Sequence, residues 1–244
     1  MSHLQNFNPQ TFKDVNVILA VMQPYIFPYI GYYQLVYSAD IFISYDDVSF
    51  IKQGYINRNN ILANGNPLRF TLPVIGASSN ALIQNLEYSN SKKILRTIAQ
   101  AYARAPYFGD VFPIIELVFN QENRSVAHIN SLSIQVVFEY LNIDKKILIA
   151  SQIDYDRTKE RADRLIELSK VHCCEQYVNS PGGRELYQKE YFQKKGVKLN
   201  FIESQIQPYA QNSDVFVPYL SMIDILMNCS KEEVIKMLNQ YKLS

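Results

Sequence analysis

The chain places two apolar runs, "VILAVM" at 17–22 and "DIFISYDDVSF" at 40–50, on either side of the short helical pattern "GYYQLVYS" at 31–38. A strand, a helix and a second strand within some thirty residues admit few arrangements. The crossover is right-handed and the two strands lie parallel in one sheet. The later chain repeats the alternation. "KILIASQI" reads as a strand, "TKERADRLIELSKV" as a helix, "EQYVNS" as a strand, "ELYQKEYFQKKG" as a helix and "KLNFIES" as a strand. Between the two α/β parts, Ile94, Leu95, Ile98, Ala101, Tyr102 and Ala105 recur at helical spacing after Ser91, and further helices are expected near 109–120 and 125–141. "LRFTLPVI" and "LIQNLEY" read as short strands that form a hairpin or extend the sheet. The expectation is one α/β domain over 1–244, a Rossmann-like parallel sheet of the nucleotidyltransferase type. It carries a helical insertion at 91–145 and a mobile N-terminal tail at 1–15.

Charge excludes some classes of function. Lys and Arg number 24 against 23 Asp and Glu, so no charge excess draws the protein to nucleic acid or anionic lipid. No apolar run approaches the length of a bilayer span, and the polar start lacks a signal peptide's apolar segment. The three cysteines, Cys173, Cys174 and Cys229, make a poor disulfide framework and fit a cytoplasmic address. His172, Cys173, Cys174 and Glu175 are ligand types, yet contiguous residues point apart and do not converge on one ion, so no metal set is assigned.

The stretch "QPYIFPYIGYYQLV" at 23–36 falls at the carboxyl edge of the expected sheet, where ligands bind in parallel α/β folds. Gln23, Tyr25, Tyr29, Gly31 and Tyr32 are candidate binding residues there. The rings suit stacking on a base, and Gly31 allows close approach at the helix start. The spacing resembles the nucleotidyltransferase signature, with its two histidines about a glycine at a helix start. Tyr29 and Tyr32 stand at the histidine positions, and tyrosine lacks imidazolium charge. Phe27 and Tyr33 read as core.

The second strand leads into another dense segment, "SYDDVSFIKQGYINRNNI". Asp46 and Asp47 could bind magnesium, accept a proton from an amine, or cap a turn. Lys52 and Arg58 could supply cationic charge, and Asn57 and Asn59 could orient a ligand. "NSPGGREL" resembles a phosphate-holding turn built from Ser180, Gly182, Gly183 and Arg184, with Glu185 and Tyr187 as neighbours. On "KERADRLIEL", Arg164 is the charge to test. Lys159 and Arg161 read as a solvated helix face. Tyr209 and Gln211 could contact substrate. Asp224, inside an apolar helix, needs a partner.

"MQPYIFPYIGYYQLVYSADIFISYDDVSFIKQGYINRNNI", "TLPV", "AYARAPYF", "SPGGRELY", "PYAQ" and "YLSMIDILMN" together resemble the WbqC-like family, from about Val17 to Asn228. The resemblance implies a role in bacterial O-antigen or other surface-polysaccharide biosynthesis, and a glycine-transferase activity has been suggested for members. The expected function is transfer of an acyl group, glycyl for example, to the amine of a nucleotide-linked amino sugar. ATP and Mg2+ would activate the acid as an acyl-adenylate, or the acid would arrive already activated as an aminoacyl-tRNA or thioester. The alternatives are a non-catalytic sugar-nucleotide-binding protein and a glycosyltransferase. A homodimer is compatible with this reading.

Overall fold

A computed structural model describes residues 16–244, so the tail expected at 1–15 lies outside the described residues. Strand β1 (Ile18–Met22), helix α1 (Ile30–Ser38) and strand β2 (Ile41–Ser44) form the expected parallel unit. The two central strands are buried on both faces, which explains their unbroken apolar character. β2 ends at Ser44, so Tyr45 to Phe50 lie beyond it, outside the strand expected over 40–50.

The hairpin β3 (Arg58–Ala63) and β4 (Asn66–Thr71) follows, with positive φ at Asn64 and Gly65 in its two-residue turn. "LRFTLPVI" is therefore divided between β4 and β5 (Val74–Ile75). β5 pairs with β6 (Glu87–Tyr88), so "LIQNLEY" contributes only its last residues to a strand. Helices α2 (Lys92–Tyr102), α3 (Phe108–Phe119) and α4 (Val126–Tyr140) fill the middle section. Ser91 precedes α2, but its hydroxyl donates to the Phe119 carbonyl 2.8 Å away and caps nothing.

The chain then returns to the sheet through β7 (Lys146–Ile149), α5 (Arg161–Val171), β8 (Gln176–Asn179), α6 (Lys189–Lys194) and β9 (Lys198–Ser204). Helices α7 (Met222–Asn228) and α8 (Lys231–Leu238) precede β10 (Tyr241–Leu243), which pairs antiparallel with β9. Ser230 and Glu233 form the capping box of α8.

The sheet runs β10-β9-β8-β1-β2-β7, and β9 through β7 are all parallel. This is the Rossmann-like order, in which strands are added outward from β1 in one direction and then in the other. Its switch point lies between β1 and β8. Ala20, Phe42 and Val178 face a core shared with α1, α2, α3, α4, α7 and α8. Leu19, Val21, Ile43, Tyr177 and Phe201 face α5 and α6.

The backbone from Gln23 to Pro28 is irregular and largely buried, and side chains from distant elements meet its polar groups. Asn130 of α4 donates to the carbonyls of Pro24 (2.9 Å) and Ile56 (2.7 Å), and Ser133 accepts from the Phe27 amide (3.1 Å). The Phe27 carbonyl accepts from Asn59 of β3 (2.7 Å) and from Ser221 ahead of α7 (2.6 Å). Tyr32 donates to the Gln23 carbonyl at 2.8 Å.

Gly31 closes this region from the helix side. A Cβ there would fall 2.4 Å from Cε2 of Tyr29 and 2.6 Å from the Ser204 hydroxyl. Gly31→Ala should therefore destabilise by about 1–3 kcal/mol through overpacking, read as a drop of several degrees in Tm. Gly109→Ala in α3, where an added Cβ meets nothing within 4 Å, should leave Tm unchanged or raise it. Equal Tm values for the two variants would remove the steric role assigned to Gly31.

Candidate functional site

A cleft of about 620 Å³ opens at the carboxyl ends of β1, β2 and β8, against the start of α5. It lies at the switch point, where parallel α/β sheets bind ligands. Gln23 and Asp47 stand at the ends of their strands, Arg164 comes from the first turn of α5, and Ser180, Gly182 and Gly183 come from the turn after β8. The strand order thus brings together six of the residues singled out from the sequence.

Asp47 is the most constrained of them. Its side chain is fully buried, and Oδ2 accepts from the Tyr155 hydroxyl at 2.7 Å and from Arg157 Nε at 2.8 Å. Oδ1 has no hydrogen-bond partner, an unusual state for a buried carboxylate oxygen. Arg157 also donates to the carbonyls of Ala150 and Ile153, both at 2.9 Å. Asp47 and Arg157 together therefore fasten the segment between β7 and α5 beneath the cleft. Asp46 faces away. Its carboxylate accepts from the Ser151 amide (2.8 Å) and hydroxyl (2.7 Å), and burial raises its pKa against the pull of those bonds. The two acids consequently do not form one chelating pair.

Tyr45, Arg161, Asn179 and Tyr187 also line the cleft. Burial raises the Tyr45 pKa, and the adjacent Arg164 opposes the rise. The Tyr155 hydroxyl donates to Asp47, and burial followed by that bond raises its pKa. Tyr45, Tyr155, Arg157 and Asn179 carry no signal in the sequence that marks them for this cleft, and Arg161, expected on a solvated helix face, lines it. The available signal was positional: Arg161 and Arg164 stand one turn apart at the start of a helix that follows a parallel strand.

The remaining candidates lie elsewhere. Tyr32 is 3% exposed, its hydroxyl engaged by Gln23, and Tyr25 packs 5.5 Å from its ring. Tyr29 sits edge-on to Tyr219, with 6.0 Å between ring centres. Lys52 is exposed on a loop outside the cleft lining. Arg58 donates to the carbonyls of Gly54 and Gln53, and Asn57 to that of Leu72. Asn59 is 2% exposed and holds the Phe27 carbonyl. Arg184 pairs with Glu203 at 2.5 Å. Tyr209 and Gln211 converge on Asp224 at 2.8 and 3.1 Å, and Tyr102 reaches its other oxygen at 2.6 Å. These three donors supply the partners that a buried acid requires.

Among the described residues no three His, Cys, Asp or Glu side chains come together as a metal site. None of their helices is long and apolar enough to cross a membrane.

The sequence model of the WbqC-like protein family matches residues 23–236. An uncharacterized protein of Mycobacterium tuberculosis is 23% identical over 222 residues, covering 88% of this chain and 94% of its own length. No solved structure matches the chain significantly.

Burial holds the Asp224 pKa above the ordinary carboxylate value, against its three donors. A raised folded-state pKa means that the stability it contributes is complete below the unfolded value and lost as pH rises through the folded one. The unfolding free energy of the native chain relative to Asp224→Asn should thus fall as pH rises from about 4. Urea titrations across pH 4 to 7 measure it, and a difference that grows with pH would overturn the assignment.

Proposed function

The chain belongs to the WbqC-like protein family, and on that premise we propose that it is an enzyme of surface-polysaccharide biosynthesis. It joins an acyl group, glycyl being the first to try, to the amine of a nucleotide-linked amino sugar. One observation carries the reading. The switch-point cleft is lined by Asp47, whose unpartnered Oδ1 is buried in its floor, and by Arg161 and Arg164, which make no ion pair among the described residues. An anionic ligand bearing an amine uses both kinds of group.

In this mechanism the amine nitrogen attacks the acyl carbonyl carbon. The C–N bond forms, the bond from that carbon to its activating group breaks, and the proton leaving nitrogen passes to Asp47 Oδ1. Arg157 and the Tyr155 hydroxyl keep Oδ2 occupied and so aim Oδ1. Oδ1 is buried, so the side chains over it must shift to admit the amine, which then supplies the donor that oxygen lacks.

Activation of the acid follows one of two routes. With ATP and Mg2+, the residues present offer Asp47 as the protein's single carboxylate toward a magnesium ion held mainly by phosphates. The start of α1 fits such a role poorly, because the Tyr32 hydroxyl is engaged by the Gln23 carbonyl. That burial favours an acyl group activated elsewhere, as a thioester or aminoacyl-tRNA. The divergence of Asp46 toward Ser151 likewise argues against glycosyl transfer through a metal-chelating acidic pair. Three free cysteines, two of them buried, support the cytoplasm as the site of reaction.

Incubating the protein with nucleotide-linked amino sugars and either free amino acids with ATP and Mg2+ or activated acyl donors should yield an acylated sugar nucleotide by mass spectrometry. Asp47→Asn should lower kcat by about 100-fold or more while the protein stays folded. Full turnover in that variant would remove Asp47 as the base, and binding of a sugar nucleotide without product under every donor would replace the enzyme by a binding protein.

A further inference from the structure

Arg161 and Arg164 occupy one side of the cleft, one turn apart in α5. Arg161 has no ion pair or side-chain hydrogen bond among the described residues, and Arg164 Nε alone is tied down, donating to the Lys159 carbonyl at 2.7 Å. The Tyr45 hydroxyl stands next to Arg164, and Tyr187 lines the same cleft as Arg161. Across the cleft, Asn179 is 6% exposed and accepts from the Ser180 amide at 2.7 Å. Its carboxamide packs so tightly on Gly183 that a Cβ there would fall 2.6 Å from Nδ2. The shape of the facing turn is thereby fixed.

Side chains one helical turn apart stand about 5–6 Å apart at Cβ, so two guanidiniums serve two neighbouring anionic centres rather than one carboxylate. Each fork takes phosphate oxygens with paired N–H donors, and a phenol adds a third donor. The space also exceeds what a small acid fills. Ile51 and Leu186, 49% and 61% exposed, border the cleft and offer apolar surface that water meets when no ligand covers it.

We propose that Arg161, Arg164, Tyr45 and Tyr187 form a diphosphate subsite, and that the cleft takes a nucleoside diphosphate or its ester with the base against Ile51 and Leu186. The assignment rests on the reading of this cleft as the ligand site and moves phosphate recognition from the start of α1 to the start of α5. The two phosphates lie along the first turn of α5, each met by one guanidinium and one phenol. The base covers the apolar rim, and the group beyond the second phosphate points toward Asp47.

Calorimetric titration of the full chain with adenosine, guanosine, uridine and thymidine diphosphates, the matching monophosphates and inorganic pyrophosphate tests it. At least one diphosphate should bind about 10-fold or more tightly than its monophosphate. Arg161→Ala and Arg164→Ala should each weaken that diphosphate by about 10-fold or more, with Tyr45→Phe and Tyr187→Phe weakening it less. Leu186→Ala should weaken the nucleoside diphosphate and leave pyrophosphate unchanged. Lys170→Ala, at the far end of α5, is the control. Absence of binding by every diphosphate, equal affinity for mono- and diphosphate, or unchanged affinity in both arginine variants overturns the subsite. These outcomes separate from the proposed reaction: diphosphate binding that follows the pattern without acylated product defeats the reaction alone, whereas product formed with an unchanged KM in Arg161→Ala defeats the subsite alone.

Discussion

A loop buried at the end of the central strand has to satisfy every backbone amide and carbonyl without the help of a regular ladder. The segment from Gln23 to Pro28 meets that demand by drawing on the rest of the chain. Asn130 and Ser133 come from α4, Asn59 from the β3–β4 hairpin, Ser221 from the start of α7, and Tyr32 from the helix that the loop itself begins. The asparagines and serines are short polar side chains buried among apolar ones, where an unpaired hydrogen-bonding group costs about 1–3 kcal/mol. The positions of α4, the hairpin and α7 are therefore coupled through one stretch of backbone. The aromatic rings of this segment fill the space around that polar core.

This division of labour leaves the ligand face of the sheet to other residues. The loop after β1 contributes Gln23 to the cleft, while its rings turn into the shared core and toward Tyr219. The functional groups of the cleft come instead from the segment after β2, from α5 and from the turn after β8. Asp47 links them mechanically, because the arginine that satisfies Oδ2 also holds the segment leading into α5. The guanidiniums of Arg161 and Arg164 are thus positioned by the same carboxylate that stands beneath the cleft.

The parallel strands and the helices between them were legible because complete burial writes long apolar runs and burial on one face writes a helical period. Asp47 and the Gly182–Gly183 turn were legible for a related reason: the ends of parallel strands gather at one edge, so their polar residues share it. The β3–β4 hairpin was harder. Its "NG" turn is a strong local signal, but Arg58, Asn59 and Asn60 make the first strand look like a polar loop. Tyr32 and Asn59 looked like ligand-binding groups because a side chain that bonds to a distant carbonyl carries no local mark of its partner. Tyr155 and Arg157 sit in an irregular segment with no period to read, and only the fold brings them to Asp47.

The bond between Ser221 and the Phe27 carbonyl spans 194 positions of the chain. During synthesis from the N-terminus, β1, α1 and β2 emerge long before α7 exists, so the loop after β1 waits with that carbonyl and neighbouring apolar rings unshielded. Contacts of such sequence separation close late and at high entropic cost, which marks slowly folding chains and lengthens exposure to aggregation. The aromatic stretch that locks the finished molecule together is also the surface through which a half-made chain would most readily join another.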